Sequence, residues 1–83
     1  MDGPRGTTML QGRQEAILKG LRVFEIHGQP YYDILFQLTG EQGEEGRSAR
    51  VSAEAIYPDP KVGDRVMLHF LMNMVTQVER VVV

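Results

Sequence analysis

Apolar and polar residues alternate along the second half of the chain, which is the pattern of a half-buried β-strand. Residues 58–66, with two prolines and a Gly-Asp pair, predict a tight corner that leads into this segment. The alternation places Val66, Leu68, Phe70 and Met72 on one face and Arg65, Met67, His69 and Leu71 on the other. Residues 75–83 are again rich in β-branched side chains, so a hairpin of two strands is predicted here.

Two further strands are predicted in the first half of the chain. Residues 14–26 are dense in β-branched and aliphatic side chains, and Gly20 indicates a bend. The apolar parity slips between Val23 and Phe24, as a β-bulge would produce, and a bent, bulged strand can pair in two directions at once. A helix at the start of this segment is the alternative. The second strand has one clear apolar face, made of Tyr32, Ile34, Phe36 and Leu38.

The segment between these two pairs of strands is more varied. Residues 47–52 alternate small apolar with polar side chains and predict a third strand. Residues 53–57 either extend it or form one helical turn, with Ser52 as N-cap and Pro58 as terminator, and the sequence favours the turn. Residues 40–46 contain three glycines and three glutamates and predict a mobile, solvated loop.

Five strands joined by short turns form a pattern that closes into a small all-β barrel. The layout is a long glycine-bent first strand, a hairpin, a short helical turn between strands three and four, and a final hairpin. In this layout residues 14–83 resemble the oligonucleotide/oligosaccharide-binding (OB) barrel, an antiparallel five-stranded fold. The corner at residues 62–66 recurs in many small barrels, so it indicates an architecture and no particular family.

Length and composition limit the organisation of the protein. The chain has 83 residues, which is enough for one domain, and it has no cysteine for disulfides or thiolate metal sites. We expect a flexible tail at residues 1–12 and a single barrel domain at residues 13–83. No run approaches the ~20 apolar residues needed to cross a bilayer, so a soluble cytoplasmic protein without membrane contact is expected.

The titratable residues do not form a recognisable catalytic or metal-binding set. The two histidines, His27 and His69, are far apart in the sequence and lack metal-ligand spacing. Three glutamates fall in the predicted loop, and Asp59 and Asp64 flank a turn in which hydrogen bonding to the backbone explains them. The sequence therefore predicts a protein that is not an enzyme and that needs no metal or cofactor.

One predicted surface would bind single-stranded nucleic acid. Its candidates are Tyr31, Arg47 and Arg50, with Tyr57 nearby, placed on the outward parity of strands two and three. The resemblance to OB barrels implies this role, since they present aromatic and basic groups on that face. The net charge of −2 and the neighbouring Asp33 argue against strong binding.

A second predicted surface is apolar and favours protein–protein contact, either with a partner or in a homodimer. Apolar side chains on the outward parity of a small domain usually mark an interaction surface, and methionine suits an adaptable one. This hypothesis is the leading one, and its candidates are Leu35, Met67, Leu71, Met72 and Met74.

Overall fold

The computed structural model describes residues 11–39 and 46–82, which form one antiparallel sheet of five strands. The all-β prediction with five strands is confirmed. The predicted tail lies outside the described residues except for two residues that belong to the first strand, and the predicted mobile loop lies outside them except for Gly46. The strands are β1 (Gln11–Ile26), β2 (Gln29–Leu38), β3 (Arg47–Ser52), β4 (Arg65–Leu71) and β5 (Met74–Arg80).

The long first strand organises the sheet, whose order is β3-β2-β1-β4-β5. Residues 11–17 of β1 pair with β4, and residues 16–26 pair with β2. The register shifts between Leu18 and Gly20, so the prediction of a bulged strand that pairs in two directions is confirmed. The predicted position of the slip, between Val23 and Phe24, is wrong. The shift lies before Gly20, so Phe24 pairs with Tyr31 on the face opposite to the core.

The core lies on one face of the sheet and draws on every strand. Phe36, Ile34 and Leu68 are almost completely buried, as their shared parity predicts. Phe70 lies on the predicted face but is only half-buried and packs against the edge of the core. Among residues 11–39 and 46–82, the buried apolar residues are Ala16, Leu18, Ile34, Phe36, Leu38, Val51, Ile56, Val66, Leu68 and Val78.

A 3₁₀ turn at Ala53–Ala55 follows β3, which confirms the predicted helical turn. Ser52 occupies the N-cap position, although its side chain makes no capping hydrogen bond, and the turn ends before Pro58 is reached. The buried Ile56 then forms a single parallel bridge with Val78 of β5. The sheet is otherwise open between β3 and β5 in the described part of the chain, so barrel closure stays a prediction.

The corner before β4 is fixed to the bulge of β1. The Tyr57 hydroxyl donates to the Asp64 carboxylate at 2.7 Å, and the Lys61 amide donates to the same carboxylate at 3.0 Å. Two backbone hydrogen bonds join Leu18 to this corner, one to the Asp64 carbonyl and one from the Gly63 amide. Gly63 has φ 98°, a conformation that glycine adopts at little cost. The corner therefore holds β4 in register where β1 changes partner.

Candidate interaction surfaces

A row of charged side chains crosses three strands on the outer face of the sheet. Arg22 of β1, Asp33 of β2 and Arg50 of β3 lie directly opposite one another in the register. Each arginine makes a 3.0 Å ion pair with Asp33, Arg22 to one carboxylate oxygen and Arg50 to the other. One carboxylate thus holds two guanidinium groups in fixed positions.

Two aromatic rings lie in the next row of the same face. The rings of Phe24 and Tyr31 are stacked with centroids 6.0 Å apart and an angle of 25° between their planes. The Arg50 guanidinium carbon lies 4.5 Å from the Phe24 ring centroid, and that of Arg22 lies 5.9 Å away. Both distances are within the range of cation–π attraction. We call Arg22, Phe24, Tyr31, Asp33 and Arg50 the arginine–aromatic cluster.

The electrostatics of this cluster follow from its geometry. The hydrogen bond from Arg50, and then that from Arg22, holds the pKa of Asp33 below its usual value. The hydrogen bond between Arg50 and Asp33 also raises the pKa of Arg50. Since two cations share one anion, the cluster keeps a net positive charge, and both arginine side chains are mostly exposed.

The structure separates the four residues predicted to bind nucleic acid. Tyr31 and Arg50 lie together in the cluster, but Arg47 is paired with Phe36 and lies on the opposite face of β3. The prediction that Arg47 and Arg50 share one face of β3 is wrong, because side chains three residues apart in a strand point to opposite faces. Tyr57 lies in the corner, where burial and then the Asp64 hydrogen bond raise its pKa. Tyr57 therefore serves the fold.

Sequence reasoning missed Arg22 and Phe24 as members of the cluster. The signal that could have placed them is Gly20, which is the one glycine within the apolar stretch of β1. A bulge placed at Gly20 reverses the faces of the residues that follow it. Phe24 would then have been assigned to the outer face beside Tyr31.

Three of the apolar candidates meet at the turn between β4 and β5. Leu71 and Met74 are a cross-strand pair, and Met72 lies in the turn between them. Their side chains are 49%, 66% and 64% exposed, respectively. We call these three residues the apolar hairpin tip.

The other two apolar candidates lie elsewhere. Leu35 pairs with Gly20 and also packs on Gly46, where it fills the space that glycines leave. Met67 is half-buried and pairs with Glu15, five positions before Gly20 on β1. Leu71 pairs with Gln11, which lies four positions before Glu15. At ~3.3 Å per residue, Leu35 and Met67 are therefore roughly 16 Å apart along β1, and Met67 and Leu71 are roughly 13 Å apart. The five candidates do not form one patch.

A crevice opens beside the hairpin tip, between the two edge strands β3 and β5. Its volume is about 280 Å³. It is lined by Phe36, Arg47, Ser48, Ala49, Arg50, Phe70, Asn73, Met74 and Val75. Met74 belongs to both the tip and the crevice, so the two surfaces are continuous. We call this space the edge crevice.

The histidines do not form a metal site. His27 lies in the turn between β1 and β2, whereas His69 lies on β4 with its Nε2 3.3 Å from a Glu79 carboxylate oxygen. This contact is not aligned as a hydrogen bond. In residues 11–39 and 46–82, no three histidine, aspartate or glutamate side chains are grouped to hold a metal ion. The same residues contain no helix long and apolar enough to span a membrane.

Comparison with known proteins leaves these surfaces as the basis for a functional proposal. No family model, curated protein or solved structure matches this chain.

Proposed function

We propose that this protein is a non-catalytic binding module that acts through protein–protein contact at the apolar hairpin tip. The observation that carries this proposal is the exposure of three large apolar side chains within four consecutive residues. Apolar surface in contact with water is unfavourable by about 25 cal/mol per Å², and a partner that covers the tip removes this cost. The partner is another protein or a second copy of the chain.

We further propose that the five strands form an OB-like barrel. The parallel bridge between Ile56 and Val78 supports this arrangement, because it joins the segment after β3 to the opposite edge strand. Such a barrel would present the β4–β5 hairpin at one end of a rigid scaffold. Hairpin residues on a rigid scaffold are well suited to recognition, since little conformational entropy is lost on binding.

Photocross-linking tests the role of the tip. A benzophenone amino acid at position 72 should form a specific adduct in cells that express the protein, and Leu71→Lys should abolish it. Position 62 is the matched control, because Val62 is also apolar and 62% exposed but lies in the corner before β4. Equal adducts at both positions, or none at position 72, would contradict the proposal.

Sedimentation over a range of concentrations tests the homodimer form of the same proposal. Met72→Lys should lower the self-association constant, whereas Val62→Lys should leave it unchanged. A chain that stays monomeric at high concentration excludes the homodimer and assigns the tip to a different protein.

A second candidate function is the binding of single-stranded nucleic acid by the arginine–aromatic cluster. The specific observation in its favour is the stacked Phe24–Tyr31 pair beside two exposed guanidinium groups. Aromatic rings stack on bases, and guanidinium groups pair with phosphates. The two functions differ in their response to salt, since phosphate contacts weaken as salt rises whereas apolar contacts do not.

A further inference from the structure

The long strand β1 pairs with different neighbours along its two halves. Residues 11–17 have β4 on one side, and residues 16–26 have β2 on the other. Two backbone hydrogen bonds between Leu18 and the corner continue the β4 side as far as the bulge. In the described part of the chain, no strand pairs with residues 20–26 on the side away from β2. We call this side of residues 20–26 the β1 edge.

The backbone groups of these residues alternate in direction. Ile26 and Gln29 close the two-residue turn of the β1–β2 hairpin, so they face each other as a hydrogen-bonded pair. Such pairs recur at every second position, so Leu21, Val23 and Glu25 point their N–H and C=O groups away from β2. Backbone groups along a strand edge are a template for pairing with another extended chain.

Apolar side chains are exposed along the β1 edge. Val23 is 60% exposed and Ile26 is 38% exposed, on opposite faces of the strand. Leu21 lies two residues before Val23 on the same face, where it is half-buried and packs against the core. A strand added at this edge would remove Val23 from water and extend the apolar core beyond Leu21.

The charged residues near the two ends of the edge indicate which strand fits it. Lys19 and Glu25 are exposed, and neither makes an ion pair within residues 11–39 and 46–82. An antiparallel second copy of β1 places Lys19 of each chain near Glu25 of the other, whereas a parallel copy places like charges together. The β1 edge is therefore complementary to itself in the antiparallel direction.

We infer that two copies of the chain pair antiparallel along the β1 edge, with Val23 opposite Val23 of the second copy at a two-fold axis. This register sets Leu21 opposite Glu25 of the second copy, so all three outward-pointing residues of each chain exchange backbone hydrogen bonds. It also sets Ile26 beside Gly20 of the second copy, where no side chain stands in the way. This pairing goes beyond the proposed function, because it leaves the apolar hairpin tip to a different protein.

Single cysteines test the register, because the chain has no cysteine of its own. Val23→Cys should form an intermolecular disulfide on mild oxidation. The Cα atoms of a hydrogen-bonded pair are about 5.5 Å apart, within the range of ~4.4–6.8 Å that a disulfide spans. Glu25→Cys is the matched control on the same face and edge. Its two copies would be four residues out of register, roughly 13 Å apart, and should not cross-link.

A mixture of two variants tests the direction of pairing. Leu21→Cys and Glu25→Cys, combined in equal amounts, should give a cross-linked heterodimer, because the register sets these two positions opposite each other. Neither variant should cross-link alone. A parallel pair would give the reverse result, since each position would then face its own copy.

Sedimentation over a range of concentrations distinguishes a dimer held by the β1 edge from one held by the hairpin tip. If the β1 edge holds the dimer, Val23→Lys should lower the self-association constant at least about tenfold, because it opposes two ammonium groups at the two-fold axis. Met72→Lys is then the matched control, since it places lysine at a similarly exposed apolar position of the tip, and should leave the constant unchanged. Thermal unfolding checks that both variants fold.

Amide hydrogen exchange at low and high protein concentration tests the backbone pairing itself. The amides of Leu21, Val23 and Glu25 should become more protected as the dimer forms. The amides of Arg22 and Phe24 already face β2 and should change little.

Three results would overturn the inference: a chain that stays monomeric at high concentration, cross-linking of Glu25→Cys as readily as Val23→Cys, or a dimer that Met72→Lys weakens and Val23→Lys does not. The proposed function is judged separately by the cross-link at position 72. If that cross-link forms while the β1 edge fails these tests, the proposed function stands. If the β1 edge passes them and position 72 forms no adduct, the proposed function alone is contradicted.

Discussion

Met72 and His27 occupy the same backbone position in two tight hairpins of the protein. Each is the first residue of a two-residue turn and has a left-handed conformation, with φ 53° and 52°, respectively. The second residues are Asn73 and Gly28, with φ 70° and 80°. Two positive φ angles in succession are typical of type I′ turns, which favour asparagine and glycine. Methionine is therefore an unfavourable residue at position 72, and its side chain is exposed as well.

The first prediction is that Met72→Asn stabilises the protein and weakens partner binding. Asparagine adopts the left-handed conformation more readily, so thermal unfolding should show a gain of about 0.5–1 kcal/mol. The variant also removes one of the three apolar side chains of the tip, so the cross-link or self-association should decrease. An unfavourable residue retained for contact with a partner would produce these opposite effects.

His27→Asn is the matched control for this prediction. It also places asparagine at the first turn position, here at the other end of β1, and it should stabilise the fold by less than Met72→Asn, because histidine adopts the left-handed conformation more readily than methionine. Its effect on association should be absent. If both variants reduce association equally, turn rigidity rather than the tip controls binding.

A second prediction concerns the pH dependence of the corner before β4. The Tyr57 hydrogen bond holds the pKa of Asp64 below its ordinary value, so this stabilisation is present above pH ~4 and is lost as pH falls through the folded-state pKa. The pKa of Tyr57 is raised, so its contribution is present below pH ~10 and is lost as pH rises further.

Tyr57→Phe should therefore flatten the stability profile at both ends and cost about 1 kcal/mol at neutral pH. Denaturant unfolding between pH 3 and pH 11 measures both effects. Tyr32→Phe, at a half-buried tyrosine of β2, is the control. A profile for Tyr57→Phe that runs parallel to that of the parent would show that the Tyr57–Asp64 contact does not couple to folding.

The third prediction compares two phenylalanines that share the core-facing side of the sheet. Phe36 is 2% exposed, so Phe36→Ala should cost about 3–5 kcal/mol. Phe70 is half-buried at the mouth of the crevice, so Phe70→Ala should cost about 1–3 kcal/mol. Chemical denaturation gives both values. Equal costs would mean that the crevice is closed over Phe70 in solution.

The strands were predictable because burial of one face imposes a period of two on the sequence. This signal is clear in β2 and β4, where large apolar residues recur at every inward position, although Met67 and Leu71 of β4 are apolar on the outer face. It fails in β1, because Ile17, Phe24 and Ile26 are apolar on the outer face and imitate inward residues. Hydrophobicity alone cannot then locate the bulge, and the outer position of Phe24 was missed.

The interaction surfaces were less predictable, because they depend on distances across the sheet. The outward parity of Leu35, Met67 and Leu71 follows from the sequence, but the register that separates them does not. The edge crevice depends on how far the sheet curves between β3 and β5, which no local pattern records. By contrast, the sequence could have shown that Arg47 and Arg50 lie on opposite faces, because they are three residues apart in one strand.

The last prediction uses Asp33 to test nucleic-acid binding by the arginine–aromatic cluster. Asp33→Asn removes the anion that holds Arg22 and Arg50, so it should strengthen binding of a labelled single-stranded thymidine dodecamer at low ionic strength. Arg50→Gln should instead weaken binding and flatten the dependence of log affinity on log salt by ~0.7. Tyr31→Ala should weaken it by about 1–3 kcal/mol through loss of stacking.

Arg47→Gln is the matched control, because it removes the same charge from the opposite face of β3. A dodecamer that contacts the cluster should be insensitive to this change, whereas nonspecific attraction to any arginine would respond equally to both substitutions. Fluorescence anisotropy over several salt concentrations distinguishes the two cases. No binding at high micromolar protein and low salt would remove nucleic acid as a ligand of this face, since phosphate contacts are strongest under those conditions.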